Sequence, residues 1–187
     1  MLAELVLPHT LPLLDAGIEL HCQIGLPGEV LTKLLSDQLD IAVLTKVEGA
    51  PIKQLYLLPW QNEEFVLVGP AGCAPYDPAG EKQRFIGYAE SMPMARRYFR
   101  ACWGDSPPSP TLTVPDMRAV VRAVQAGTGY AVVPMYLAAS GLAQGTLDVA
   151  HTAESPVVNP LYLAMRRGRE HLPRVRAVFT HLTSSPL

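Results

Sequence analysis

Asp116-Met-Arg-Ala-Val-Val-Arg-Ala-Val-Gln-Ala-Gly-Thr-Gly-Tyr-Ala-Val-Val-Pro134 is the stretch on which the reading of this chain turns. Met117, Val120, Val121 and Val124 recur at i, i+3, i+4 and i+7, which places them on one stripe of an amphipathic helix. Asp116 is placed to cap its N-terminus, and Gly127 to close its C-terminus. Tyr130 to Pro134 is a short apolar run suited to a strand buried on both faces. Gly127-Thr-Gly129 between them invites a nucleotide-binding reading, but it follows a helix and precedes a strand, the reverse of the dinucleotide order. Position 132 is Val, not a third Gly. A tight helix-to-strand turn accounts for both glycines.

Working outward, Arg84–Tyr88 reads as a strand, Pro93–Trp103 as a helix and Thr111–Val114 as a short strand. Met135–Ser140 reads as a short helix, Leu161–Met165 as a returning strand and Pro173–Leu182 as a final helix. In the N-terminal part, residues 2–14 show a helix-like pattern that Pro8 should kink. Ile18–Ile24 alternates with period two and predicts a half-buried strand. Gly25-Leu-Pro-Gly28 then opens a helix with Pro27 at its first position, a buried stripe of Val30, Leu31, Leu34 and Leu35, and a Glu29–Lys33 pair at i,i+4. Asp40–Leu44 has the character of a parallel-sheet strand, giving a strand–helix–strand unit with a right-handed crossover. Ile52–Leu58 and Glu64–Val68 predict two more strands. The turn-rich segment Ala71–Gly80 is the best candidate for a lobe boundary. The expectation is an α/β chain of two lobes, crossed twice near 66–70 and 158–163, with ligand bound in the hinged cleft where strand ends meet helix N-termini.

The 187 residues are 49% hydrophobic, too apolar for intrinsic disorder, and no run approaches the roughly 18 consecutive apolar residues of a membrane span. The N-terminus lacks the basic flank and cleavage site of a secretory signal. Net charge is −2, which offers no grip on a phosphate backbone. Its distribution is uneven: residues 1–68 carry nine acids and three lysines, residues 69–160 seven charges of each sign, and residues 161–187 five arginines and one glutamate. The acidic first and basic last segments therefore suit one shared lobe, or are simply solvated surface. Cys22, Cys73 and Cys102 are widely spaced and odd in number, which points to reduced thiols and neither a disulfide scaffold nor a zinc site.

Catalytic patterns are missing. No G-x-S-x-G, H-E-x-x-H or G-x-x-x-x-G-K-[ST] occurs. The histidines (His9, His21, His151, His171, His181) are scattered, and His21 reads as an ordinary sheet residue. Glu63 and Glu64, adjacent on a strand, face opposite ways and cannot act as a carboxylate pair. Met92 and Met94 beside Arg96-Arg97 fit a core-edge helix with solvated arginines better than a partner surface. Arg166-Arg167-Gly-Arg169 fits a turn facing the acidic first segment better than a nucleic-acid patch.

Several segments in order resemble the effector-binding domain of LysR-type transcriptional regulators. They are Gly25–Val43 with its Leu-Asp-Ile-Ala strand, Leu55–Pro59 followed by Glu63–Pro70, Asp116–Pro134 with its Ala-Gly-Thr-Gly turn, and Gly145–Val149. The resemblance covers essentially the whole chain. It implies a type-2 periplasmic-binding-protein-like fold of two Rossmann-like lobes joined by a double-crossover hinge. Lobe I is expected at 1–68 plus 162–187 and lobe II at 69–161, with the family's first strand missing from lobe I.

The resemblance also implies a small-molecule effector, no cofactor, no metal and no catalysis. The cytoplasm is the expected location, with no role at a membrane. DNA would be bound only through a winged helix-turn-helix head N-terminal to this domain. By position the effector should meet Leu26, Pro27, Gly28 and Thr45 from the first lobe. From the second it should meet Tyr88, Glu90, Ser91, Pro115, Asp116, Met117, Thr128 and Gly129. Helix N-termini favour a carboxylate, whereas Glu90 and Asp116 favour an amine-bearing or neutral molecule. Capping alone also accounts for Asp116. A homodimer through residues 2–24 is expected. A solute-binding receptor of a transport system is the alternative on the same fold.

Overall fold

Two long strands organise the chain. In the computed structural model, which describes residues 1–45, 51–80 and 83–184, β2 runs unbroken from Leu55–Pro70 and β7 from Val157–Arg166. Both belong partly to each of two units: Met1–Asn62 with Pro160–Leu187, and Glu63–Asn159. The two strands expected at 52–58 and 64–68 are thus one strand preceded by a 3₁₀ turn, Ile52–Gln54. The turn-rich Ala71–Gly80 lies wholly inside the second unit, so it is not where the units part. The main sheet has the order β1 (Ala42–Thr45), β7, β2, β5 (Ala131–Pro134), with β6 (Leu147–His151) also paired to β2.

In the first unit, a π turn (Leu2–Val6), α1 (Leu7–Thr10) and a 3₁₀ turn (Leu11–Leu14) form one irregular helical rod. Pro8 and Pro12 each fall in the first turn of a new segment, where a missing N–H costs least. Next come α2 (Pro27–Leu35), β1 (Ala42–Thr45) and, near the end of the chain, α6 (Pro173–Thr183). Leu31 and Leu34 of α2 pack on Ala42, Leu44, Leu55 and Ala164. β1 pairs antiparallel with β7, Ala42 opposite Ala164, which corrects the parallel strand expected there. Ile18–Ile24 forms no strand, and His21 is therefore an exposed loop residue. Without a first strand there is no right-handed strand–helix–strand crossover. Period-two alternation is necessary for a half-buried strand, but a strand also needs a neighbour to satisfy its backbone.

The acidic and basic ends of the sequence do share this unit. Asp37 pairs with Arg166 and, at 2.7 Å, with Arg169, while Asp40 holds Arg174 at 2.9 Å. The hydrogen bond from Arg169, with Arg166 beside it, holds the Asp37 carboxyl below its ordinary value. Arg167 donates instead to the carbonyls of Lys53 and Leu55. The arginine-rich turn is a clasp on acidic neighbours.

In the second unit β2 meets β5 (Ala131–Pro134) and β6 (Leu147–His151), both antiparallel. Alternation along β2 divides the core into two layers. Phe65 and Leu67 face Phe85, Tyr98 and Phe99 on the side of α3 (Pro93–Trp103). Val66 and Val68 face Val120, Val124 and Leu147 on the side of α4 (Met117–Gln125) and α5 (Met135–Ala143). A strand covered by helices on both faces has no polar side, which is why this stretch reads as a continuous apolar run. A second small sheet pairs β3 (Ile86–Gly87) and β4 (Leu112–Thr113) in parallel. Met92 is buried, and Met94 packs at the edge of the first layer.

His151 closes that layer. The Tyr98 hydroxyl lies 3.0 Å from its Nδ1 and donates to its carbonyl oxygen at 3.0 Å, and the Trp103 ring is 4.4 Å away. Burial holds the imidazole pKa below its ordinary 6.5 and pushes the Tyr98 phenol up. As pH falls through about 6.5 the unfolded chain takes up a proton that the folded one resists. The stability this group leaves intact above that pH therefore declines towards the lower folded value. Urea midpoints at pH 8 and pH 5.5 should differ less for His151→Gln than for the wild type.

Candidate functional site

The first unit contributes the opening of α2. Leu26 is extended (φ −66, ψ 148), Pro27 presets the first helical turn, and the carboxylate of Glu29 accepts the Leu26 N–H at 3.3 Å. The expected Glu29–Lys33 pair is thereby forgone, and Lys33 donates to Gln23 Oε1 at 2.7 Å. The amide groups of Gly28 and Glu29 have no backbone acceptor among the described residues, the usual state of first-turn donors. All three of Leu26, Pro27 and Gly28 are exposed. Thr45, half-buried, ends β1.

In the second unit, parallel pairing decides the arrangement. β3 and β4 run the same way, so the segments that follow them leave from the same end of the small sheet. The first is Tyr88-Ala-Glu90-Ser91, turning into α3; the second is Pro115-Asp116-Met117, opening α4. The Val114 N–H donates to the Gly87 carbonyl at 2.9 Å and ties the two together. Met92 ends the first turn in the left-handed region (φ 38, ψ 57), and its side chain fills the space beside Gly87. The residue before a proline ordinarily avoids that conformation, so burial of Met92 carries the cost. Tyr88 is half-buried, and its phenol pKa is raised, first by burial and then by the nearby carboxylate of Glu63.

Asp116 caps α4: its Oδ1 accepts the Arg118 N–H at 2.9 Å. Asp116→Ala should cost about 1 kcal/mol of unfolding free energy and Asp116→Asn much less, as read by urea denaturation. Thr128 and Gly129 lie at the other end of α4. Nine helical residues separate them from the cap, about 13 Å at 1.5 Å per residue. The structure therefore groups Tyr88, Glu90 and Ser91 with Pro115, Asp116 and Met117, and leaves Thr128 and Gly129 apart. Gly129 also serves the packing of strands. Its φ of 155° and a hypothetical Cβ only 2.3 Å from the Arg84 carbonyl oxygen show that it lets β5 close on β3.

Sequence reading missed a buried polar network in this unit. Glu63 is 8% exposed; Tyr136 donates to its Oε1 at 2.6 Å and Asn159 to its Oε2 at 3.2 Å. Arg97 in turn donates to the Asn159 amide oxygen and to the Val158 carbonyl. Glu63 and Asn159 are the first and last residues of the second unit. Strand alternation rightly separates Glu63 from exposed Glu64. It does not say which of the two is inside, nor that partners 73 and 96 residues away await it.

Among the described residues no group of three or more His, Cys, Asp or Glu side chains is arranged to hold a metal, and no helix is long and apolar enough to cross a membrane. The three cysteines are unbridged.

Comparison with known proteins places this geometry. The chain is 33% identical over 174 residues to the HTH-type transcriptional regulator AbaB of Streptomyces antibioticus, a match covering 85% of this chain and 56% of that protein. It superposes on the C-terminal domains of a LysR family protein from Agrobacterium tumefaciens with a TM-score of 0.80 at 17% identity, covering 98% and 90% of the two chains. Full-length LysG of Corynebacterium glutamicum, solved with bound effector Arg, gives 0.75 at 14% identity, with 97% of this chain but 64% of that one covered. This chain thus spans little more than half the length of the curated regulator it matches. The model of the LysR substrate binding domain matches residues 2–186, and the chain belongs to that family.

Proposed function

We propose that this chain is the effector-binding part of a LysR-type transcriptional regulator, taking a small metabolite whose binding controls DNA contact by a helix-turn-helix region of the whole protein. Family membership across residues 2–186 carries the reading. It also weighs against the transport-receptor alternative. Regulation is not an enzymatic activity, and the reading gives no side chain a catalytic role. The cytoplasm is the compartment where such a protein meets DNA.

Exposed Leu26, Pro27 and Gly28 and half-buried Thr45 of the first unit, and the Tyr88–Ser91 and Pro115–Met117 turns of the second, are the residues we assign to the effector. Thr128 and Gly129, at the far end of α4, are assigned to it as well. Free N–H groups at the start of α2 favour a carboxylate, and Glu90 and Asp116, whose turns leave the same end of the small sheet, favour an amine, so an amino acid or a small carboxylate fits best. LysG, solved with bound effector Arg, has a ligand bearing both groups. The effector acts through unequal affinity for alternative states, and a coupling of about 1–3 kcal/mol suffices.

A thermal-shift screen of the chain against amino acids, small carboxylates and aromatic metabolites tests this. A saturable rise that scales with ligand concentration is the expected result. Flat curves for both this chain and the full-length regulator would contradict it. We further propose a homodimer through residues 2–24, where Leu11 and Leu14 are each half exposed. Sedimentation should show a dimer, and a monomer at high micromolar concentration would overturn the assignment.

A further inference from the structure

Among the described residues, Glu63 of β2 is a buried carboxylate held only by neutral groups. It is 8% exposed, with the Tyr136 hydroxyl of α5 donating to Oε1 at 2.6 Å and the Asn159 amide of β7 donating to Oε2 at 3.2 Å. No ion pair among the described residues includes it. The arginine of the cluster, Arg97 of α3, stops one group short. It donates to the Asn159 amide oxygen and, at 3.1 Å, to the Val158 carbonyl. That contact fixes the Asn159 amide with an N–H aimed at Glu63. The carboxylate is thus held in place from α5 and β7 while no cation of the described residues rests on it.

Burying a charge without a cation beside it is costly, so a carboxylate kept for stability alone is ordinarily paired. A carboxylate oxygen accepts about two hydrogen bonds, which leaves one position open on each oxygen of Glu63. Its surroundings show where those positions matter. Tyr88 begins the first turn assigned to the effector, and the Glu63 carboxylate lies near enough to raise the Tyr88 phenol pKa. Glu90 and Asp116 stand in the effector turns as well, but both are exposed, and Asp116 is engaged with the Arg118 N–H. Water screens an exposed charge, so neither separates a cation strongly from a neutral group. Of the three carboxylates, Glu63 is screened least. An ammonium group brings three donors and a matching charge, whereas a hydroxyl brings one donor and no charge.

We infer that Glu63 determines the specificity of the effector site by receiving the ammonium group of an amine-bearing effector. The inference rests on the effector reading above and narrows it, because acids without an amine are then excluded. Glu63, Tyr136, Asn159 and Tyr88 all belong to the second unit, so the amine is recognised there.

Calorimetry with the twenty standard amino acids tests this, with succinate and benzoate as acids that lack an amine, on this chain and on the full-length regulator. The amino acid that binds tightest should bind about 30-fold or more tighter than its analogue with a hydroxyl in place of the ammonium, the usual consequence of unpairing a buried charge. Glu63→Gln keeps the shape of the side chain and should bring the two ligands within about 3-fold of each other, by weakening the amino acid. A Glu63 that served only the packing would weaken both alike. The wild-type comparison decides the matter even where the variant does not fold. Equal wild-type affinity for the amine and hydroxyl forms, or an unchanged preference in Glu63→Gln, would overturn the inference. Binding of succinate or benzoate without any amino acid would overturn it and leave the effector reading standing. No binding to either protein would overturn both.

Discussion

Gly129→Ala is expected to destabilise the second unit by about 3–5 kcal/mol, the sum of backbone strain, overpacking and a broken hydrogen bond. At φ 155° an added Cβ would stand 2.3 Å from the Arg84 carbonyl oxygen and 2.9 Å from its carbon. Both atoms are backbone, so no side chain can swing aside. Relief requires β5 to withdraw from β3, breaking the Tyr130 N–H bond to Arg84 at 2.9 Å and the Ile86 N–H bond to Tyr130 at 2.8 Å. Gly127→Ala provides the comparison. That residue is also left-handed, at φ 81°, but nothing lies within 4 Å of the new carbon. Only conformational strain of about 1–2 kcal/mol is expected there. Urea unfolding followed by tryptophan fluorescence separates the two. Equal losses would show that the close approach to Arg84 does not hold the strands.

Phe85→Ala is expected to cost about 3–5 kcal/mol, the usual range for a fully buried aromatic side chain. Phe85 is 0% exposed and meets the rings of Tyr76 and Phe99 edge-on, with centroids 6.3 and 5.6 Å apart. It also forms the bridge to Tyr130 at the entry to β3, and its carbonyl accepts the Thr111 N–H at 2.7 Å. The same packing that stabilises the unit thus sets where Tyr88 to Ser91 emerge. A loss below about 1.5 kcal/mol would mean that the neighbouring rings refill the space, and the aromatic layer would then not be what fixes β3.

Legibility in the sequence followed the range of the forces involved. α2, α3, α4 and α6 each begin at the residue their local signals mark: Pro27, Pro93, the Asp116 cap and Pro173. Those signals are local and self-sufficient. Strands depend on neighbours, which local sequence does not specify. Ile18–Ile24 alternates properly yet is no strand, for want of a partner edge, and β1 proved antiparallel because β7, over a hundred residues away, chooses its direction. The Ala71–Gly80 turns marked a change of direction, whereas the units exchange within β2 and β7, where no turn residue announces it.

The candidate site shows the same division. Capping by Asp116 and the opening of α2 at Pro27 were readable from a few residues each. That Tyr88–Ser91 and Pro115–Met117 share one end of a sheet depends on the parallel pairing of β3 with β4, which no local pattern encodes. The Glu63–Tyr136–Asn159 network is longer-ranged still. A carboxylate inside a strand reads as a solvated residue until its distant donors are known.

If the proposed assignment holds, the effector alters both Leu26–Gly28 of the first unit and the Tyr88–Ser91 and Pro115–Met117 turns of the second. Amide hydrogen exchange with and without the ligand that raises the melting temperature most tests it directly. Slower exchange in both sets of turns at saturating ligand is the predicted result. Protection confined to one unit, or to segments outside both sets, would contradict the proposed assignment.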